Sequence, residues 1–218
     1  MTTPQRVSVI GSGIVGETLA NGFLAHGWTV MRGTRDPDKL APWRDGAGAA
    51  ASVGDLAACA AHADLVVLAV KGTGAESAVA LCGAGGLDGK VVIDTTNPIA
   101  DAAPEDGVLS FFTGRDESLM ERLQAAAPAA RFVKAFSCVG SALMVDPQLP
   151  GGPPTMFLCG DDADAKSRVS SVLEDFGWEV DDLGTARAAR AIEPLCILWC
   201  IPGFRDGDWA HALKMLRP

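Results

Sequence analysis

The chain has 218 residues, 48% of them hydrophobic and 21% charged, enough apolar material for one or two compact domains and too evenly mixed for disorder. A net charge of −9 argues against nucleic acid or an anionic membrane as a partner. No apolar run approaches the roughly 18–20 residues that cross a bilayer, and Met1-Thr2-Thr3-Pro4-Gln5-Arg6 leads straight into a strand-like run, so no signal peptide and a cytoplasmic location are expected.

Short β-rich runs alternate with helical stretches, the pattern of a parallel sheet covered on both faces. Strands are predicted at Val7–Ile10, Thr29–Arg32, Ala47–Ala51, Leu65–Val70, Val91–Asp94, Arg131–Phe136, Thr155–Cys159 and Glu179–Leu183. Helices are predicted at Ile14–His26, Asp55–Ala61, Gly74–Leu81, Glu117–Ala126 and Ala163–Phe176, then at Ala186–Cys200 and Asp208–Leu216. Leu65–Val70 and Val91–Ile93 are apolar without alternation, as central parallel strands buried on both faces should be. Right-handed crossovers then favour an α/β fold with a doubly wound parallel sheet of the Rossmann type. Between Asp146 and Pro154 the chain carries four prolines and two glycines, which cannot be helix or central strand. Residues 1–146 are therefore expected to form a dinucleotide-binding domain. Residues 147–218 are too few to bury a core alone and should pack on it as a small α/β extension. Within that extension Ile192–Pro202 is apolar nearly all round, which predicts a subunit-facing helix and a homodimer.

The first strand runs into Gly11-Ser12-Gly13-Ile14-Val15-Gly16, a GxGxxG that opens a helix, with a second strand at the expected distance. Gly11 allows the tight turn, Gly13 lets backbone approach a pyrophosphate, and Gly16 permits close helix–strand packing. The helix N-terminus offers free N–H groups and a positive dipole end to the phosphates. The second strand ends Arg32-Gly33-Thr34-Arg35-Asp36-Pro37-Asp38-Lys39, with glycine where NAD enzymes place a ribose-binding carboxylate. Thr34, Arg35 and Lys39 can surround a 2′-phosphate with a hydroxyl, a guanidinium fork and a point charge, and Arg32 adds to the basic cluster. The cofactor is therefore read as NADP(H).

The pocket should form at the carboxyl ends of the strands, from the loops Ala69-Val70-Lys71-Gly72, Thr95-Thr96-Asn97-Pro98 and Ala135-Phe136-Ser137-Cys138. Ala69 and Val70 are expected against the cofactor ribose, and Asn97-Pro98 on the nicotinamide side. Lys71 is either a receiver of an anionic substrate tail or a solvated lysine. Asp94 and Thr95 either join the site or cap their strand, and Lys134 is expected to pair structurally. The chain has no tyrosine and only His26, His62 and His211. Both His26 and His62 fall at predicted helix ends and His211 in the last predicted helix, so no essential side-chain acid is expected. Six cysteines form no CxxC pair, although Cys196 and Cys200 lie four apart on one helix face. Buried thiols are the expected reading, with no metal or disulfide.

These residues resemble the NADPH-dependent reductases of the coenzyme F420-dependent NADP oxidoreductase type. The likeness runs through VIGSGIVGETLANGFLAHGWTVMRGTRDP, LVVLAV, VVIDTTNPI and VKAFSCVG, then MFLCGDDADAK, LEDFGWEVDDLG and ARAIEPLCILW. Thr34 and Arg35 match the family's Ser/Thr-Arg pair, and Lys39 a basic position a turn later. The resemblance implies a Rossmann domain with a small C-terminal extension, a homodimer, and hydride transfer between NADP(H) and a small-molecule acceptor. Coenzyme F420 is one candidate; flavin, quinone, metal chelate and imine acceptors are others, as is an NADP(H) sensor that turns nothing over. Two departures fall near the expected nicotinamide end: Lys71-Gly72 where the family often has proline or tryptophan, and Ser137 where it usually has asparagine.

Overall fold

The computed structural model describes residues 5–218, so the leader reading at Met1–Pro4 lies outside the described residues. Six parallel strands, β1 (Arg6–Ile10), β2 (Thr29–Gly33), β3 (Ala51–Gly54), β4 (Leu65–Leu68), β5 (Val91–Asp94) and β6 (Arg131–Lys134), form one sheet in the order β3-β2-β1-β4-β5-β6. That is the doubly wound order, with its switch point between β1 and β4. A second parallel sheet pairs β7 (Thr155–Leu158) with β8 (Glu179–Asp182). It joins the first sheet at one bridge, Lys134 to Cys159.

The unalternating apolar strands are explained by two cores, one on each face. On one face α1 (Ile14–Ala25) and α6 (Ala163–Asp175) bury Leu19, Phe23, Val169 and Leu173 against Val7, Val9, Val67 and Ile93. The other face carries α3 (Leu56–His62), α4 (Ala75–Leu81) and α5 (Leu119–Ala126), together with Cys196, Trp199 and Cys200 from the C-terminal segment. Local signals set the helix starts. The Asp55 carboxylate accepts from Ala58 N–H, the Asp162 carboxylate from Ala165 N–H, and Ser118 with Glu121 closes a capping box. Among the described residues no helix is long and apolar enough to cross a membrane.

Three predicted elements differ. The strand expected at Ala47–Ala51 begins only at Ala51, because Pro42 opens a helix, α2 (Ala41–Ala47), that Gly48 ends at φ 87°. The single helix expected at Ala186–Cys200 is broken. A 3₁₀ turn at Ala186–Ala188 and α7 (Ala189–Ile192) precede Pro194, and α8 (Leu195–Asp206) starts afresh behind it. The helix expected at Asp208–Leu216 does not form. Trp209 folds back over Gly203, and the tail then runs extended along β7, where Thr155 N–H donates to the Leu213 carbonyl and Met215 N–H to Thr155 Oγ1.

Candidate functional site

Beyond Ile10 the chain turns at Gly11, which has φ 146°, a conformation that side chains rarely adopt. A Cβ there would lie 2.1 Å from the Ala69 carbonyl oxygen, and one on Gly16 would lie 2.8 Å from that of Gly11. A Cβ on Gly13 would meet nothing within 4 Å. The first and third glycines are thus demanded by the protein's own packing, whereas the second faces open space. Gly13 is the N-cap of α1 and carries no capping side chain, which leaves the first-turn N–H groups of that helix without a side-chain cap.

The cleft has a volume of about 530 Å³. Its floor is Ile10 to Gly13, one end is Gly33, Thr34 and Arg35, and the opposite wall is Ala69, Val70 and Lys71. Eight expected site residues therefore meet in one cavity: Gly11, Ser12, Gly13, Thr34, Arg35, Ala69, Val70 and Lys71. Leu56, Thr73, Gly74, Ser77, Ala78 and Leu81 complete the wall and were not foreseen. The signal for them was present, since Gly72-Thr73-Gly74 opens a helix after β4 much as the glycine motif does after β1. Ile14 stands 65% exposed beside the loop, while Val15 and Gly16 turn into the helix and do not line the cavity. A larger groove, of about 660 Å³, lies among Glu121, Arg131, Asp161 and Arg187 and shares no residue with the glycine loop.

The remaining expected residues stand elsewhere. Lys39 is exposed, 3.7 Å from Asp36, and does not line the cavity. Lys71 pairs with Asp101 at the rim. Pro98 and Ala135 are buried at the ends of β5 and β6, where Pro98 O accepts from Phe112 N–H and Ala135 N–H donates to Asp94 O. Asn97 spans these two loops, its Nδ2 donating to the Ser137 carbonyl at 2.9 Å. Among the described residues neither Asn97 Oδ1 nor Ser137 Oγ has a hydrogen-bond partner, although both are buried.

Arg32 corrects the sequence reading. Its side chain has no exposed surface and points behind the glycine loop rather than toward a 2′-phosphate. Gly33 is also closed to any side chain, because a Cβ there would lie 2.5 Å from the Cβ of Cys59 on α3.

Beneath the loops lies a buried ionic group. Lys134 Nζ is 2.7 Å from Asp94 Oδ2 and 2.9 Å from Glu193 Oε1, and donates to the Thr96 carbonyl at 2.7 Å. Burial alone would lower the Lys134 pKa, but Asp94 and Glu193 hold it above the ordinary lysine value. Glu193 also accepts the N–H groups of Leu119 and Met120, capping α5. Lys134 is structural, as expected, and Asp94 and Thr95 serve the same scaffold: Asp94 binds Thr96, and Thr95 Oγ1 donates to Leu68 O. Glu193 was missed.

No cysteine lines the cavity. None of the three histidines lines it. His26 caps the far end of α1 and packs on Phe176, while His62 ends α3. His211 lies in the extended tail and stacks on Trp199. Burial pushes the thiols of Cys59, Cys138 and Cys159 up to about 12. Cys196 and Cys200 are buried with their sulfurs 4.0 Å apart.

The family described as NADP oxidoreductase, coenzyme F420-dependent, matches residues 6–98. A crystal structure from Arthrobacter sp. fb24, assigned as an F420-dependent NADP-reductase, is 32% identical and superposes with a TM-score of 0.90, covering 97% of this chain and 99% of that one. A reductive aminase from Aspergillus terreus, solved with NADPH and ethyl levulinate, shares the fold at a TM-score of 0.66 and 21% identity, over 94% of this chain and 64% of its own. Metalloreductase STEAP3 of Rattus norvegicus is 28% identical over 203 residues, which is 90% of this chain but only 38% of STEAP3.

Proposed function

Because the chain belongs to the coenzyme F420-dependent NADP oxidoreductases, a family of NADP-dependent enzymes, we propose that it moves a hydride between NADP(H) and a second small molecule, with coenzyme F420 the first candidate. The observation that carries this reading is the single cavity that joins the open face of Gly13 to Thr34 and Arg35. The reduced nicotinamide supplies the hydride; the residues of this chain hold and orient.

In this reading the first-turn N–H groups of α1 bind the diphosphate, and Thr34 and Arg35 bind the 2′-phosphate. Val70, Ala78 and Leu81 give the adenine an apolar wall, with the hydroxyls of Thr73 and Ser77 within the same cavity. Asn97 Oδ1 and Ser137 Oγ are buried polar atoms awaiting partners, a fit for the nicotinamide carboxamide. A carbonyl or imine acceptor calls for a proton donor, and the chain has no tyrosine and no cavity-lining histidine to give one. That favours an acceptor that carries its own chemistry, such as a deazaflavin. The reading includes a cytoplasmic homodimer, with α8 at the interface. Leu198 and Phe204 of that helix are 56% and 45% exposed, too apolar for a face left in water.

The test is NADPH oxidation across a panel of F420, flavin, quinone, ferric chelate and imine. Turnover with F420 supports the proposal. Turnover with only another acceptor replaces F420, tight NADPH binding without any turnover makes the protein a sensor, and no NADPH binding overturns the reading entirely.

A further inference from the structure

Arg32 is the buried cation of the second-strand cluster, and the 2′-phosphate does not explain it. Its Nη2 donates to the carbonyl oxygens of Gly11 and Gly13, at 3.3 Å each, and its Nη1 reaches Glu17 Oε2 at 3.4 Å. The guanidinium carbon lies 4.9 Å from the Trp43 ring, which is itself held by a bond from Nε1 to Asn21 Oδ1. Among the described residues Arg32 Nε has no partner. Sequestering a charge this completely is costly, and both hydrogen bonds it donates to backbone converge on one object, the back of the glycine loop.

We infer that Arg32 is the positioning residue of the diphosphate site: it fixes the Gly11–Ser12 peptide plane and braces the Gly13–Ile14 plane, whose carbonyl also accepts Glu17 N–H at 3.0 Å, so that the N–H groups of Ser12 and Ile14 aim into the cleft. The carbonyl of Gly11 shares its peptide with the N–H of Ser12, and that of Gly13 with the N–H of Ile14. No cis peptide bond occurs among the described residues, and in a trans peptide C=O and N–H point opposite ways. A guanidinium that pulls both carbonyls toward the interior therefore turns both N–H groups outward. The bond to a cation also polarises each peptide, making its N–H a better donor. The positive charge itself sits one peptide layer behind the anion's place, where little water screens it. Glu17 balances part of that charge from the first turn of α1.

This inference rests on the cofactor reading, and the experiment keeps the two apart. Wild type and Arg32→Met are titrated calorimetrically with NADPH, NADH and adenosine 2′-monophosphate, which lacks the diphosphate. Arg32→Met keeps an apolar stem and removes the donors. It should weaken NADPH and NADH by the same factor, roughly 10- to 100-fold for the loss of charge-assisted bonds, and leave adenosine 2′-monophosphate unchanged. Arg32→Lys keeps the buried charge but cannot fork across two carbonyls. It should lose NADPH affinity by a smaller factor, again with no change for adenosine 2′-monophosphate, and it serves where the methionine variant does not fold. Unchanged NADPH binding in the variants overturns the inference alone, and so does an equal loss for all three ligands, which would mark Arg32 as general support for the fold. Wild type that binds no dinucleotide overturns the cofactor reading and the inference with it.

Discussion

Consider Gly13→Ala, which adds one methyl where the protein itself leaves room. Gly13 has φ −81° and ψ 179°, ordinary extended backbone for alanine, and its new Cβ would touch nothing within 4 Å. Losing glycine at an N-cap costs about 0.5–1 kcal/mol, while the stiffer unfolded chain returns about 0.4–1 kcal/mol. The melting temperature should therefore stay within about 4 °C of wild type. NADPH should bind about 10- to 150-fold more weakly, because a methyl in the diphosphate's place removes a charge-assisted bond worth about 1.5–3 kcal/mol. Gly11→Ala is the control with the opposite signature. Its φ of 146° and the 2.1 Å approach to Ala69 O combine backbone strain and overlap. Together these cost roughly 2–6 kcal/mol, or about 5–20 °C in melting temperature. Thermal melts and fluorescence titration on the same preparations decide it. A Gly13→Ala protein that folds and binds NADPH like wild type would refute the placement of the diphosphate at this loop.

Arg35→Ala should weaken NADPH by about 1.5–3 kcal/mol while leaving NADH almost unchanged; equal losses in titrations of the two nucleotides would show that Arg35 does not read the 2′-phosphate. Glu193→Ala leaves Lys134 with one carboxylate and strips the cap from Leu119 and Met120 N–H. It should cost about 3–5 kcal/mol, or roughly 6–20 °C, and a melt within 2 °C or so of wild type would argue against a cooperative network. Stability should fall above about pH 8.5, where unfolded thiols release protons that the folded state keeps. Cys59, Cys138 and Cys159 are held near 12 and Cys82 near 11 by burial. Each should contribute a loss of about 1 kcal/mol over the first pH unit above the unfolded value. Urea midpoints at pH 7.5, 8.5 and 9.5 check the sign, and a flat profile would contradict it. Light scattering should give twice the chain mass at micromolar concentration, whereas a monomer would sink the α8 interface.

What the sequence made legible was whatever one short segment decides by itself. The strands β4 and β5 could be read because burial on both faces leaves apolar runs without alternation. The glycine motif could be read because its spacing encodes a turn, a close approach and a helix start within six residues. The C-terminal tail could not. Residues 208–216 carry helix-forming residues, but Trp209 finds Trp199 at 5.5 Å and Lys214 finds Glu179, and those tertiary contacts outweigh propensity. The second wall of the cavity was hidden for another reason. Thr73, Ser77 and Ala78 are unremarkable in a helix start, and only the neighbouring loop gives them meaning.

Arg32 and Gly33 show how a correct inference can stand on a displaced cause. Counting cations gathered Arg32 with Arg35, yet the twofold period of a strand puts Arg32 on the face of Val30, which packs in the core beneath α1. Alternation alone therefore pointed Arg32 inward. The missing carboxylate at position 33 was read as a preference for NADP(H). The structure makes it a steric necessity, because α3 brings Cys59 against that glycine and no acidic side chain fits there. Under the proposed function, selectivity would have two separate parts: packing at Gly33 would deny the ribose hydroxyls their usual acceptor, and Arg35 would offer the 2′-phosphate a donor. The first part is built by a cysteine more than twenty residues away in the chain, which is why no local motif announces it.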